Sequence, residues 1–412
     1  MNPLFARLSR PLTPTLALLL VVSGAAGQQP RLVTRADAIQ AALDHAPRLL
    51  VAASDTSAAA AALRNARLRP DPTASFGYSK STPRYHVELS IPLDLPWIRN
   101  ARAAAAQSGR AGSQLRLAFA RVAARIDADT SYTAALAARE LLALSRRNSR
   151  DADSLYRIAT LRRDAGDASD LDTELASILA GQQANILAGD SLSAESALLT
   201  LQAAMGIVGS EITIALADSL TRPRFDSTVV AGGGNLLPVA AAESDVHTAD
   251  LSVRMQRRSR IIEPTLTAGF ETGDPGGSES GVLPTVGIAL PLPLFNGNRG
   301  NIAVAEAELL RAQAALAAVR VESTGALGRA RRALRAGLEQ LARDEQLTAS
   351  ADRVSAMSLT AYREGAATLA SVLEAQRMAR DVRSQYVADL ANAWIARSVL
   401  LLLSETTASS AP

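Results

Sequence analysis

The sequence predicts an α+β membrane protein in which β-hairpins alternate with very long α-helices. A stretch of alternating apolar and polar or small residues occurs twice, at 87–95 and 286–294, and this period of two is typical of a strand. Each copy follows a matching partner strand, at 72–78 and 264–270, so each pair is interpreted as a hairpin. Each hairpin then runs into an Ala-rich, helical stretch of more than 60 residues without an internal proline.

The two halves of the chain repeat each other in one register. Val87 and Val286 are 199 residues apart, and so are the Gly-containing segments 165–169 and 364–368. We therefore interpret the chain as a tandem duplication of a unit made of a hairpin and a long helical hairpin.

The predicted boundaries follow this duplication. Arg7 and Arg10, an apolar run at 16–22 and the small residues 25–27 have the layout of a secretory signal. No later run of about 18 apolar residues exists, so no membrane-spanning helix is expected. We predict a signal peptide (1–27), a first repeat (28–206) with a β-hairpin at 72–95 and a helical tip near 166, an irregular inter-repeat segment (207–246), a second repeat (247–403) with a β-hairpin at 264–294 and a tip near 365, and a disordered tail (404–412).

Composition argues against several kinds of site. The chain has no cysteine, which excludes disulfides, thiolate metal sites and a lipid-modified N-terminal cysteine. Its three histidines, at 45, 86 and 247, are far apart in sequence, so no metal site and no cofactor are expected. The formal charge is only +3, and no nucleic-acid partner is expected.

The predicted strands have the length and the two-faced pattern of membrane-spanning strands. At about 9 to 11 residues each, they are long enough to cross a bilayer at a tilt. The strand that begins near 86 is expected to place Val87, Leu89, Ile91 and Leu93 towards lipid and His86, Glu88, Ser90 and Asp94 towards water. Pro92 and Pro291 fall at the same place in the two copies, where the backbone is expected to leave the sheet and become helical.

Four strands cannot close a barrel, because an open edge in lipid leaves backbone groups unpaired. Two copies of the chain would supply eight strands and a plugged interior, and three copies would supply twelve and room for a channel. Each long helix would extend roughly 100 Å, with an apolar coiled-coil seam from Ile302 to Val319 in the second. A coiled-coil scaffold without a channel is the alternative, but it leaves the paired alternating strands unexplained.

One stretch carries a resemblance to a known family. Residues 290–303 read LPLPLFNGNRGNIA, and together with the duplicated hairpin and the Gly-containing tips they resemble the TolC family of outer-membrane efflux proteins. Within the family the stretch is most similar to the CzcC-like heavy-metal efflux branch. The corresponding first-repeat segment, 96–100, departs from this Gly-rich form.

The resemblance implies a homotrimer whose 12-stranded barrel lies in outer-membrane lipid and continues into the periplasm as an α-helical barrel. The expected partners are a periplasmic adaptor protein and an inner-membrane, proton-driven pump of the RND type. The family has no catalytic residues, so no enzyme activity is expected. The expected cargo is heavy-metal cations; drug efflux and type I protein secretion are the alternatives with the same fold.

The resemblance also implies three groups of functional residues. The periplasmic gate is expected at Glu374, Ser371 and Arg377, with Ser371 standing where a second carboxylate would be. The adaptor-docking tips are expected at Gly166, Asp167, Ser169, Gly365 and Thr368, and the strand-to-helix hinges at Pro92, Pro291, Asn296, Gly297, Asn298 and Gly300. Two alternatives are open: Glu374 as a solvated helix residue, and the acidic residues at the first tip as helix caps only.

Overall fold

The structure is a computed structural model of the chain, and it describes residues 30–80, 84–223, 236–260, 263–272 and 281–404. The predicted signal peptide, 1–27, lies outside the described residues. The predicted tail, 404–412, also lies outside them, except for Ser404, which caps the last helix.

Within the described residues the chain forms six strands and seven helices. In chain order they are β1 (Arg31–Val33), α1 (Arg35–His45), α2 (Pro47–Arg67), β2 (Thr73–Tyr78), β3 (Tyr85–Pro92), α3 (Pro96–Asp164), α4 (Asp170–Ala204), β4 (Ile214–Leu216), α5 (Leu237–Arg258), β5 (Thr265–Thr272), β6 (Val282–Ala289), α6 (Arg299–Arg363) and α7 (Leu369–Leu403). Each half of the chain therefore has a β-hairpin, a very long helix and a shorter return helix, in that order.

The two hairpins form one sheet. Its strand order is β2-β3-β5-β6 and every pairing is antiparallel, so the hairpin of each half lies beside the other. The two halves meet where β3 pairs with β5, with Val87 opposite Phe270. β2 and β6 are the edges, and each has a hydrogen-bonded neighbour on one side only. The sheet is open within a single chain.

The helices extend the molecule away from this sheet. At 1.5 Å per residue, the 69 residues of α3 and the 65 residues of α6 each extend about 100 Å. The return helices α4 and α7 have 35 residues each, about half that length. The first half of α3 packs against α2 and α5, its second half packs against α4, and α6 packs against α5 and α7. Many of the buried residues in these seams are alanines, which let neighbouring helices approach closely.

The predicted irregular segment, 207–246, is partly ordered, so that prediction was wrong over two stretches. β4 pairs in parallel with β1, and α5 already begins at Leu237. Pro238 lies in the first turn of α5, where its missing N–H has no partner in the helix to lose, so this proline does not prevent the helix. The β1–β4 pair packs on the middle of α3, where Tyr132 and Leu136 are fully buried against it.

The N-terminal part of the described chain forms two consecutive helices, α1 and α2. Thr34 is the N-cap of α1: its side chain accepts a hydrogen bond from the Asp37 N–H and forms a full capping box. The helical segment is divided into α1 and α2, because Ala46 is extended and Pro47 begins α2. A residue before proline avoids the helical conformation, which explains the break.

The last helix, α7, is long and apolar enough to cross a membrane by length and composition alone. It instead packs along α6 in the second helical hairpin. Its apolar side chains are therefore explained by helix packing within the hairpin.

Candidate functional site

The sheet has one apolar and one polar face. Residues directly opposite each other in an antiparallel sheet lie on the same face, and the registers give two separate sets. One face consists mainly of large apolar residues: Phe76, Tyr78, Tyr85, Val87, Leu89, Ile91, Leu266, Phe270, Val282, Val286 and Ile288. The other carries Thr73, Ser75, His86, Glu88, Ser90, Thr267, Glu271 and Thr285. The apolar side is highly exposed, with Phe76 80% and Val286 81% accessible.

The polar face is hydrogen-bonded along its surface. His86 Nδ1 lies 3.4 Å from Glu271 Oε1 across the β3–β5 pair, and Ser90 donates to Glu88 Oε1 at 3.0 Å. The expectation that Asp94 faces water on this side was wrong. Its side chain is 1% exposed and ion-paired with Arg102, 3.3 Å away. Asp94 lies beyond the end of β3, where the alternation of faces no longer applies.

The two strand-to-helix junctions differ in construction. Pro92 is the last residue of β3, and α3 begins four residues later without a special turn. After β6 the chain passes Pro291 and makes a tight turn, in which Gly297 has φ of 50° and Asn298 has φ of 59°. The Asn298 amide donates to the Gln256 carbonyl oxygen at 2.7 Å. This bond attaches the second junction to α5.

The same turn places further side chains of the predicted hinge. Asn296 Oδ1 lies 3.5 Å from the Gly300 N–H, and Asn301 donates to Asn298 Oδ1 at 2.7 Å. The apolar residues before the turn are exposed, and Phe295 is 98% accessible. Glycine and asparagine tolerate the left-handed backbone better than other residues, which explains this sequence at the turn.

Each long helix reverses at a glycine. Gly166 and Gly365 have φ of 82° and 77°, the left-handed region. At the first tip the Asp167 N–H donates to the Arg162 carbonyl oxygen at 2.7 Å, and at the second the Ala366 N–H donates to that of Ala361 at 2.7 Å. These bonds are those of a Schellman motif, which ends a helix. The turns have the same geometry in both repeats.

The return helices begin at capping residues. Ser169 accepts from the Asp172 N–H, and the Asp172 carboxylate accepts from Ser169 in return. Thr368 accepts from the Ser371 N–H at 3.3 Å. Asp172 therefore helps to cap α4. At the start of α7 the Ser371 hydroxyl donates to the Thr368 carbonyl oxygen at 2.8 Å.

The two tips touch each other within one chain, a contact that sequence reasoning missed. The Arg162 guanidinium donates to the Tyr362 carbonyl oxygen at 2.8 Å and lies 4.9 Å from the centre of the Tyr362 ring. A buried apolar cluster supports this contact with residues from all four long helices: Ala152, Leu155, Ala159, Ala176, Leu179, Tyr362, Leu369 and Val372. The partners are 200 residues apart, and no local sequence pattern predicts the pair.

An ion-pair chain follows the second tip along α7. Arg377 binds Glu374 at 2.7 Å and Asp381 at 3.1 Å, and all three side chains are more than half exposed. The hydrogen bonds from Arg377 hold the pKa of Glu374 below its usual value, so this carboxylate stays ionised at neutral pH. Arg377 is thus the partner of Glu374 within one chain.

A second unpredicted network joins the two repeats at mid-length. Arg35 of α1 forms an ion pair with Asp129 of α3, whose side chain is only 8% exposed. The Arg35 guanidinium also lies 4.2 Å from the centre of the Trp394 ring on α7. Tyr132 donates to Asp218 Oδ2 at 2.8 Å, and burial raises the pKa of Tyr132 to about 12. These contacts connect α1, α3, α7 and the segment after β4.

The described residues contain no group of three or more His, Asp or Glu side chains placed to hold a metal ion. An amphipathic sheet, whose strands have six to eight residues and are therefore shorter than the predicted 9 to 11, continues directly into helical hairpins of about 100 Å. This combination defines the protomer of an outer-membrane channel whose helical part lies in the periplasm.

Comparisons with known proteins agree with that class. A family profile described as "Outer membrane efflux protein" matches residues 234–403. The solved structure of the Campylobacter jejuni CmeC outer membrane channel superposes with a TM-score of 0.77 at 16% identity, over 90% of this chain and 85% of that one. The second repeat thus resembles the outer-membrane efflux proteins, and the chain shares the fold of a solved outer-membrane channel, in agreement with the resemblance to the TolC family noted in the sequence.

Two curated relatives differ in what their names say they handle. The cobalt-zinc-cadmium resistance protein CzcC of Cupriavidus metallidurans is 26% identical over 363 residues, which is 85% of each chain. The pyoverdine export outer membrane protein OpmQ of Pseudomonas aeruginosa is 29% identical over 255 residues, 60% of this chain and 54% of that one.

Proposed function

We propose that three copies of this chain form the exit duct of a tripartite efflux pump, which carries heavy-metal cations out across the outer membrane. The observation that carries the proposal is the open four-stranded sheet, whose edges are β2 and β6 and whose apolar face is exposed. Unpaired backbone groups in lipid each cost several kcal/mol, so the edges need partners. Because the strands alternate in direction, β6 of one copy can pair with β2 of the next in the same antiparallel manner.

The number of copies follows from barrel geometry. Two copies supply eight strands, enough only for an interior filled by side chains, whereas three supply twelve and leave space for a channel. The polar face with His86, Glu88 and Glu271 then lines the water-filled interior, and the apolar face contacts lipid. The same threefold arrangement would place the long helical hairpins side by side as a periplasmic tube.

The helix tips around Gly166 and Gly365 serve as the docking ends for a periplasmic adaptor protein. They are the parts of the helical hairpins farthest from the sheet, about 100 Å along α3 and α6. Asp167, Ser169 and Thr368 lie in or beside these turns, where they are accessible to a partner. The adaptor would connect the duct to an inner-membrane pump of the RND type.

The closed end of the duct is formed near Glu374. Threefold symmetry would bring three copies of the Glu374–Arg377 pair around one axis, just inside the tips. Ser371 lies one turn closer to the tip and adds no charge. In this arrangement the acidic ring attracts cations, and Arg377 limits the repulsion between the three carboxylates.

The heavy-metal cargo is supported by the similarity to CzcC over 85% of both chains. A siderophore cargo is the second candidate, favoured by the similarity to OpmQ, which is named for pyoverdine export. Deletion of the gene in its own organism would separate the two. A metal duct predicts increased sensitivity to cobalt, zinc or cadmium salts with unchanged siderophore release, and the reverse pattern would support the second candidate.

The channel itself is tested in planar lipid bilayers with the purified protein. We expect the current across the bilayer to increase in discrete steps of equal size, one step for each channel that inserts. The alternative of a periplasmic scaffold without a pore predicts protein that associates with the bilayer, if at all, without conductance steps.

A further inference from the structure

Two carboxylates meet in the seam between α6 and α7. Asp344 of α6 is 8% exposed and Asp389 of α7 is 7% exposed. Gln340, one helical turn before Asp344, donates to Asp389 Oδ2 at 2.7 Å, so the two carboxylates lie on facing turns of the same seam. Asp344 precedes the tip glycine, Gly365, by 21 residues, so the pair lies about 30 Å along the helix from the tip. It is separate from the Glu374 ion pairs.

The hydrogen bonds of the pair are unequal. Asp389 Oδ2 accepts from the side-chain amides of Gln340 at 2.7 Å and Gln385 at 2.9 Å. Asp344 Oδ2 is buried and accepts from none of the donors that the structure describes. A buried carboxylate oxygen without a donor costs free energy, whereas a protonated carboxyl there is itself a donor. The arrangement fits an ionised Asp389 and a protonated Asp344.

The charged groups around the pair do not neutralise two negative charges. Among the described residues, no arginine or histidine forms an ion pair with either aspartate. Arg343, on α6, acts on Asp344 only through its distant charge. Glu345 adds negative charge nearby and is itself paired with Arg222 at 3.3 Å, and Tyr386 of α7 is an uncharged neighbour at neutral pH.

We infer that Asp344 and Asp389 form a proton-binding site, in which Asp344 holds the proton and donates it in a hydrogen bond to the Asp389 carboxylate. No bond to carbon is made or broken: the proton leaves to water when Asp344 ionises and returns from water when it is neutralised. Burial, and then the hydrogen bond to Asp389, raise the pKa of Asp344 in agreement with this assignment.

The site links the packing of α6 and α7 to pH. An acid with a raised pKa in the folded state stabilises the fold fully below its unfolded pKa, near 3.8 for Asp344. That stabilisation is lost as pH rises through the folded-state pKa. Above it, two adjacent negative charges lie in a seam whose neighbouring contacts are apolar, with Leu341, Leu390 and Ala393 buried. The helical hairpin should therefore loosen as the periplasm becomes more alkaline.

The decisive variant is Asp344→Asn, which imitates the protonated form at every pH. Its matched control is Asp352→Asn, since Asp352 also lies on α6 and faces α7, but its side chain is 51% exposed and paired with Arg383. Unfolding of the full-length protein in detergent would be followed by circular dichroism from pH 4 to pH 8. We expect the midpoint of Asp344→Asn to rise above that of wild type by an amount that grows with pH, reaching several degrees at pH 8.

The unfolding midpoint of Asp352→Asn, relative to that of wild type, should not rise as the pH increases from 4 to 8. A difference between Asp344→Asn and wild type that stays constant with pH, or a lower midpoint for the variant at pH 8, would overturn the inference.

Infrared difference spectroscopy provides a readout that does not depend on stability. The difference spectrum of wild type minus Asp344→Asn at pH 5, above the ordinary aspartate pKa of 3.8, should contain the C=O stretching band of a protonated carboxyl group. The difference spectrum of wild type minus Asp352→Asn should not contain it. Absence of that band would overturn the proton assignment. A second result would also overturn the proton assignment: an unfolding midpoint that rises on adding Ca²⁺ in wild type but not in Asp344→Asn. The two carboxylates would then form a cation site.

Discussion

Arginine at Leu89 would test whether the sheet has a lipid face. Leu89 is near the middle of β3 and lies opposite Ala74 on β2 and Ala268 on β5, with Val286 beyond them on the same apolar face. An arginine on the lipid face near the bilayer midplane costs about 2 to 4 kcal/mol. That is a factor of roughly 30 to 700 in the equilibrium between inserted and non-inserted protein. We therefore expect Leu89→Arg to reduce the assembled protein in outer membranes strongly.

The matched control is Ser90→Arg, one residue further along the same strand. Ser90 lies on the polar face between Thr73 and Thr267, and Glu88 on that face is close enough to pair with a new arginine. Both variants add the same side chain to the same strand, so a difference between them reports which face of the strand carries the arginine. The assay is the amount of detergent-extracted assembled complex, measured by immunoblot after electrophoresis without heating.

The reasoning predicts near wild-type assembly for Ser90→Arg and a large loss for Leu89→Arg. Equal losses would mean that the strand is buried on both faces or does not lie in a membrane. A greater loss for Ser90→Arg would reverse the assignment of the two faces.

Three further predictions concern the helical part. Gly365→Val should abolish efflux while assembly in the membrane persists, because a branched residue is strained at φ of 77° and the tip lies about 100 Å from the sheet; retained efflux would remove this tip from adaptor docking. Glu374→Ala should raise the conductance of the isolated channel and weaken its block by divalent cations, and unchanged bilayer recordings would place Glu374 on the outer helix surface. Arg35→Ala should lower the free energy of unfolding by about 3 kcal/mol in a denaturant titration, since it leaves the buried Asp129 charge unpaired. The control Arg48→Ala breaks an exposed ion pair and should lower it by less than about 1 kcal/mol in the same titration.

The features that the sequence predicted well are long and periodic. The alternation in the first hairpin and the uninterrupted Ala-rich stretches predicted β3, α3 and α6, because a pattern over many residues outweighs local exceptions. The strand predicted at 286–294 was right only over its first four residues, because β6 is Val282–Ala289 and the chain leaves the sheet before Pro291. The glycine turns at 166 and 365 were predicted by the identical spacing of the two repeats, and the structure places left-handed glycines at both.

The features that it did not predict depend on contacts between distant parts of the chain. The three-residue strands β1 and β4 are too short to show an alternation, and they exist because they pair with each other on α3. The contacts between the Arg162 guanidinium and the Tyr362 ring, and between the Arg35 guanidinium and the Trp394 ring, join residues far apart in sequence. Asp344 and Asp389 look like ordinary solvated helix residues until the packing of α6 on α7 places them together.

The central claim is that the open sheet is completed by two further copies of the same chain. Native mass spectrometry of the complex, extracted in mild detergent and measured with the protein in its full-length mature form, tests it most directly. The account predicts a single dominant species with three times the mass of one chain. A stable monomer or dimer as the dominant species would contradict it, because four or eight strands would then have to complete the barrel.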